Sequence, residues 1–97
     1  MTKQTTTAII DDDDGPRRVH VFGRDGWALR KLIEAGDRGV TPLDTPGPRW
    51  SGYIFKLRKA GIPVATLNER HGGAFPGTHA RYRLTAAVEI TGQGATV

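Results

Sequence analysis

The chain has 97 residues, of which 13 are Gly and 6 are Pro, and it contains no Cys. A chain of this length forms one domain with a small core and cannot hold separate cofactor and substrate domains. The missing cysteines exclude disulfide frameworks, thiolate zinc sites, iron–sulfur clusters and cysteine nucleophiles. No run approaches the roughly 20 apolar residues of a membrane helix, and residues 1–14 lack the apolar stretch of a secretory signal.

Charge is distributed unevenly along the sequence. Residues 1–15 contain one Lys and four consecutive Asp, whereas residues 16–85 contain 13 Lys or Arg and five Asp or Glu. This asymmetry indicates a polyanionic partner, with nucleic acid as the first candidate. A basic surface that is merely solvated has a similar composition, so the positions of the charges carry more information than their sum.

The two ends of the chain have compositions that favour disorder. Residues 1–15 are rich in Thr and then in Asp, and they end in Gly-Pro, so we predict a disordered acidic tail. Residues 91–97 are rich in Gly and Thr and are predicted to be a flexible C-terminus. The predicted folded domain therefore spans residues 16–90, and the alternating residues 17–22 indicate a short strand at its start.

The first predicted helix spans residues 25–35. Five apolar residues form a stripe at helical spacing, Trp27, Ala28, Leu29, Leu32 and Ile33, and all except Ala28 are predicted to lie in the core. Asp25 is the expected N-cap, and Gly36 follows the helix where a left-handed C-terminal cap is common.

A proline-rich stretch separates this helix from the next one. Pro42, Pro46 and Pro48 permit only one helical turn, over residues 41–44. The second long helix is predicted over residues 48–60, ending at Gly61. Trp50, Ile54 and Leu57 form its buried face. The opposite face carries only positive charge: Arg49, Gly52, Lys56 and Lys59.

Two strands are predicted after the second helix, over residues 62–67 and 79–84. The second alternates cleanly, with Ala80, Tyr82 and Leu84 inward and with Arg81 and Arg83 outward. The Gly-rich segment 70–78 joins them into a hairpin with a long tip. A further short strand is predicted over residues 88–90, with no assigned place.

The order helix, tight turn, amphipathic helix and β-hairpin resembles that of small winged helix-turn-helix proteins of bacteria and their phages. The resemblance covers roughly residues 20–85. It rests on three stretches: residues 23–29, residues 39–51, and His71-Gly72-Gly73 through residues 79–82. It implies an α+β winged helix-turn-helix fold, a small helical bundle followed by a β-hairpin wing. The helix 48–60 would be the recognition helix and residues 70–78 the wing, although the preceding helix has about one turn instead of two.

The resemblance implies a sequence-specific protein that binds double-stranded DNA and regulates transcription of bacterial or phage genes in the cytoplasm, at the nucleoid. Recognition helices present their N-terminal residues to base edges, and arginine can donate two hydrogen bonds to guanine. Arg49 is the expected base reader, while Lys56 and Lys59 would contact phosphates. The full set of candidate DNA-binding residues comprises Arg49, Ser51, Gly52, Tyr53, Lys56, Lys59, Arg70, His71, Arg81 and Arg83.

Two other functions remain open at this point. The chain would be a protein–protein interaction module if its basic face bound protein, or an excisionase-like architectural factor if it bent DNA. Homodimerisation also remains open. We expect no enzyme and no small-molecule substrate, because Ser51 lacks a His and Asp set for nucleophilic catalysis. We also expect no metal and no cofactor, because His20, His71 and His79 lack zinc-site spacing.

Overall fold

The computed structural model describes residues 3–43, 50–73 and 77–96. Over these ranges the chain forms an α+β fold, as predicted from the sequence. Its elements are β1 (Lys3–Asp12), β2 (Gly15–Phe22), α1 (Arg24–Ala35), a 3-10 turn (Gly36–Arg38), α2 (Trp50–Lys59), β3 (Val64–His71), β4 (Gly77–Leu84) and β5 (Ala87–Thr96).

The larger sheet has three antiparallel strands in the order β2-β1-β5. The β1–β2 hairpin pairs Thr5 with Phe22 at one end and Asp12 with Gly15 at the other. Strand β5 returns to the opposite edge of β1. The predicted disordered tail is therefore wrong for residues 3–15, and the predicted flexible C-terminus is wrong for residues 91–96.

The physical reason lies in the inner face of β1. Thr6, Ala8 and Ile10 alternate along the strand and are at most 1% exposed. Val19 and Val21 from β2 are buried beside them. Composition averages over both faces of a strand, and polar Thr6 on the inner face with apolar Ile9 on the outer face obscures the alternation in the sequence.

Helix α1 covers the inner face of this sheet. Gly26 in its first turn lies directly against Thr6 of β1, where a Cβ on Gly26 would collide with the threonine hydroxyl. A glycine is needed there because it lets the helix approach the strand. Ala28, Leu29 and Leu32 of the predicted stripe are fully buried, whereas Trp27 and Ile33 are only partly buried at its edges.

The caps of α1 were predicted with mixed success. The helix begins at Arg24 with Gly23 as N-cap and no side-chain cap hydrogen bond, so Asp25 lies in the first turn and is not the cap. At the other end, the backbone N–H of Gly36 bonds to helix carbonyls at φ 58°. With ψ −136° this is not the predicted αL cap, but glycine adopts such positive φ values without steric cost, and Gly36 is confirmed as the C-cap residue.

The smaller sheet is the β3–β4 hairpin, which pairs Val64 with Leu84 at its base and His71 with Gly77 near its tip. Val40 forms an isolated antiparallel β-bridge with Tyr82 of β4. The Val40 N–H donates to the Tyr82 carbonyl oxygen and the Val40 carbonyl oxygen accepts from the Tyr82 N–H, both at 2.8 Å. Gly39 makes this approach possible with φ 75°, because a Cβ there would lie 2.7 Å from the Tyr82 carbonyl oxygen. Strand β3 begins two residues later than predicted and runs on to His71, and β4 begins at Gly77. The predicted wing loop 70–78 is therefore wrong at both ends, where its residues belong to the strands.

Helix α2 closes the core between the two sheets. Trp50, Ile54 and Leu57 are buried, as their spacing predicted. Pro42 and Leu43 form a turn. Residues 44–49 lie outside the described residues, and with them lie the end of the predicted one-turn helix and the predicted start of the second helix.

Candidate nucleic-acid interface

The exposed face of α2 combines positive charge with small polar residues. Ser51, Lys56 and Lys59 are exposed on it, and Gly52 is half-buried. The helix contains no acidic residue to neutralise the lysines. This face exists because the apolar residues recur every three or four positions and turn the remaining side chains towards solvent. The predicted Arg49 lies outside the described residues.

The last turn of α2 contains a third basic residue, Arg58, whose side chain has a structural role. Its guanidinium donates to the Val64 carbonyl oxygen from Nε at 3.2 Å and from Nη2 at 2.8 Å. Nη2 also donates to Oγ1 of Thr66 at 2.7 Å. These bonds fasten α2 to the start of β3, so Arg58 orients the helix relative to the hairpin.

Tyr53 belongs to an aromatic cluster between α1 and α2. Its ring lies 6.1 Å from Trp27 and 5.9 Å from Trp50, measured between centroids. Its hydroxyl accepts a hydrogen bond from Nε of Arg24 at 2.9 Å, and the Arg24 guanidinium lies 4.8 Å from the Trp27 ring centroid. Tyr53 was predicted to contact DNA, but these contacts favour a role in holding α2 against α1.

The three arginines predicted to contact DNA from the β3–β4 hairpin differ in exposure and in their hydrogen bonds. Arg70 is exposed and Arg83 is half-buried. Arg81 donates from Nε to Oε2 of Glu69 at 2.6 Å and from Nη1 to the Arg38 carbonyl oxygen at 2.8 Å. The Arg81 guanidinium holds the pKa of the Glu69 carboxyl below its usual range. Arg81 therefore braces the hairpin against the turn after α1.

The two wing histidines lie next to this ion pair. Nδ1 of His71 and Nδ1 of His79 are 2.9 Å apart, and Nε2 of His79 is 3.1 Å from Oε1 of Glu69. A carboxylate only accepts hydrogen bonds, so Nε2 of His79 carries a proton. In the described ranges no group of three or more His, Asp or Glu side chains is arranged to hold a metal ion.

The four consecutive aspartates lie at the tip of the β1–β2 hairpin, where Asp11 and Asp12 end β1 and Asp13 and Asp14 form the turn. Asp12 accepts a 2.6 Å hydrogen bond from Arg17, which lowers the pKa of its carboxyl. The same arginine donates to the Gly61 carbonyl oxygen at 2.8 Å. Since Gly61 lies two residues beyond the end of α2, this acidic turn (residues 11–14) is held at the C-terminal end of that helix.

One exposed residue of α2 was missed by the sequence interpretation. Phe55 is 61% exposed, and Nζ of Lys59 lies 5.7 Å from its ring centroid. The sequence did contain a signal for the exposure of Phe55, because its position lies outside the buried stripe of Trp50, Ile54 and Leu57. The structure thus groups Ser51, Gly52, Lys56 and Lys59 with Phe55 on one helix face, and it places Arg70, His71, Arg81 and Arg83 on the hairpin.

None of the helices in the described ranges has the length and apolar character needed to cross a membrane. No curated protein and no solved structure gives a significant match to the chain. A family model described as a winged helix domain matches residues 18–94. That match covers most of the sequence and includes both helices and the β3–β4 hairpin. The chain therefore belongs to the winged helix domain family, whose fold indicates nucleic-acid binding in general.

Proposed function

We propose that this protein binds double-stranded DNA in a sequence-specific manner and regulates transcription of bacterial or phage genes. The observation that carries the proposal is the exposed face of α2, on which Lys56 and Lys59 have no acidic neighbour within the helix. A helix fits the major groove of B-DNA, and lysines on its flanks neutralise phosphates. In this role α2 reads the groove with Ser51 towards the bases, and Arg49, which lies outside the described residues, stays the base reader predicted from the sequence.

The wing supplies backbone contacts in this proposal. Arg70 is exposed near the tip of the hairpin, and Arg83 lies on the return strand. Arg81 and the histidine pair act differently, because their hydrogen bonds within the hairpin set its shape. The acidic turn beside Gly61 repels phosphates, which favours an approach in which the N-terminal half of α2 enters the groove.

The test is a salt titration of binding to a labelled random duplex, followed by fluorescence anisotropy. Four phosphate contacts, from Lys56, Lys59, Arg70 and Arg83, give a slope of log K against log salt of about −3.6. The double variant Lys56→Ala/Lys59→Ala is expected to flatten that slope by about 2. Exposed charge substitutions change stability by less than about 0.5 kcal/mol, so the variant remains folded.

A matched control removes the same net charge elsewhere. Arg18 is exposed on β2, and Lys31 lies on α1. The double variant Arg18→Ala/Lys31→Ala is expected to keep the wild-type slope. Equal flattening in both variants would show that net charge alone drives binding. An unchanged slope in the Lys56/Lys59 variant would assign the helix face to a protein partner, as in an interaction module.

A further inference from the structure

We infer that Phe55 contacts the methyl group of a thymine in the major groove and thereby sets part of the sequence preference. The inference rests on the proposed function and adds a residue and a base feature to it. Phe55 is 61% exposed, while the other large apolar side chains of α2, Trp50, Ile54 and Leu57, are at most 3% exposed. Its position therefore has no explanation in the core.

Helix geometry places the ring on the surface that faces a groove. At 100° per residue, Phe55 lies about 130° around the helix axis from the middle of the buried face. Side chains on a helix lean towards its N-terminus, so the ring covers the turn that holds Ser51 and Gly52. Gly52 has no side chain to shield that surface. The N-terminal half of a recognition helix is also the part that approaches base edges.

The surroundings of the ring favour DNA over an apolar protein surface. Nζ of Lys59 lies 5.7 Å from the ring centroid, and Lys56 is exposed next to it in sequence. One cation beside an aromatic ring, with a second on the same exposed side of the helix, suits a polyanion that also presents an apolar group. The major groove has one such group on its base edges, the C5-methyl of thymine, and phenylalanine is among the side chains that contact it.

The experiment starts with selection of duplexes from a randomised 20-base-pair library by the full chain. Each thymine of the selected sequence is then replaced by deoxyuridine, which removes only the methyl group. We expect one position at which the wild type loses about four-fold in affinity, the ratio that corresponds to about 0.8 kcal/mol for one buried carbon. Phe55→Ala should bind thymine and uracil equally at that position.

Two further variants sharpen the result. Phe55→Leu keeps an apolar side chain and should retain part of the methyl preference. Leu67→Ala removes a comparable exposed apolar side chain from β3 and should keep the whole preference. The salt slope on random DNA should be the same for Phe55→Ala as for wild type, because the ring neutralises no phosphate.

Several results would overturn the inference while leaving DNA binding intact. These are a selected sequence that shows no methyl dependence at any thymine, an equal loss of affinity for every duplex in Phe55→Ala, and a loss of self-association in that variant with DNA binding unchanged. If the wild type binds no duplex from the library, the proposed function fails and this inference fails with it.

Discussion

Replacing Ile10 by alanine measures how much the N-terminal strand contributes to the fold. Ile10 is fully buried on the inner face of β1. The substitution removes three carbons, whose transfer from water contributes about 2.4 kcal/mol at roughly 0.8 kcal/mol each. The cavity left behind adds to this, and buried Ile→Ala changes cost about 2–5 kcal/mol in total. For a domain of this size the midpoint of thermal unfolding falls by roughly 10–30 °C.

The assay is urea unfolding followed by tryptophan fluorescence. Trp27 and Trp50 lie in α1 and α2, so they report the loss of the helical core and not the local fraying of β1. Ile9 is a matched control, because it is the same residue type on the opposite, half-buried face of the same strand. Ile9→Ala should cost less than about 1 kcal/mol. Equal and small losses in both variants would show that β1 does not stabilise the core.

Three more substitutions test the packing and the ion pair of the smaller sheet. Gly39→Ala should lower the free energy of unfolding by about 1–3 kcal/mol, because alanine is strained at φ 75° and its Cβ meets the Tyr82 carbonyl. Gly72→Ala, where a Cβ meets nothing within 4 Å, should change it by less than about 0.5 kcal/mol in the same urea titration. Glu69→Gln should destabilise the protein at neutral pH. In the folded wild type, Arg81 lowers the pKa of the Glu69 carboxyl. The stabilisation that the Glu69 charge provides is therefore present above the unfolded-state pKa, and it disappears as the pH falls through the folded-state pKa. Thermal midpoints of wild type and variant should therefore converge in acid, and a constant difference down to low pH would contradict the assignment.

Part of the candidate site could be predicted from the sequence, because it depends on one helix. The spacing of Trp50, Ile54 and Leu57 predicted which side of α2 is buried, and that assignment left Lys56 and Lys59 on the outside. The role of Tyr53 depended on contacts between helices that no spacing reveals. Its ring packs on Trp27 from α1, and its hydroxyl accepts a bond from Arg24.

Hydrogen bonds to other elements also decided which arginine and lysine side chains are available on the surface. Arg58 and Lys59 are neighbours in sequence with the same charge, but Arg58 donates hydrogen bonds to Val64 and Thr66 of β3. Arg81 and Arg83 alternate identically on β4, whereas Glu69 from the facing strand binds Arg81. Charge pattern identifies a basic face, but hydrogen bonds from other elements determine which of its members are structural.

The sequence by itself determined the local elements, since helical stripes, glycine caps and strand alternation arise from residues only a few positions apart. Helices α1 and α2 and the β3–β4 hairpin were predicted in this way. Tertiary structure alone decided the sheet β2-β1-β5, in which Ile10 pairs with Val88 across most of the chain. A strand of mixed Thr and Asp composition has too little apolar surface to order by itself. It folds because β2 pairs with one edge, α1 covers its inner face, and β5 from the far end of the sequence bonds to the other edge.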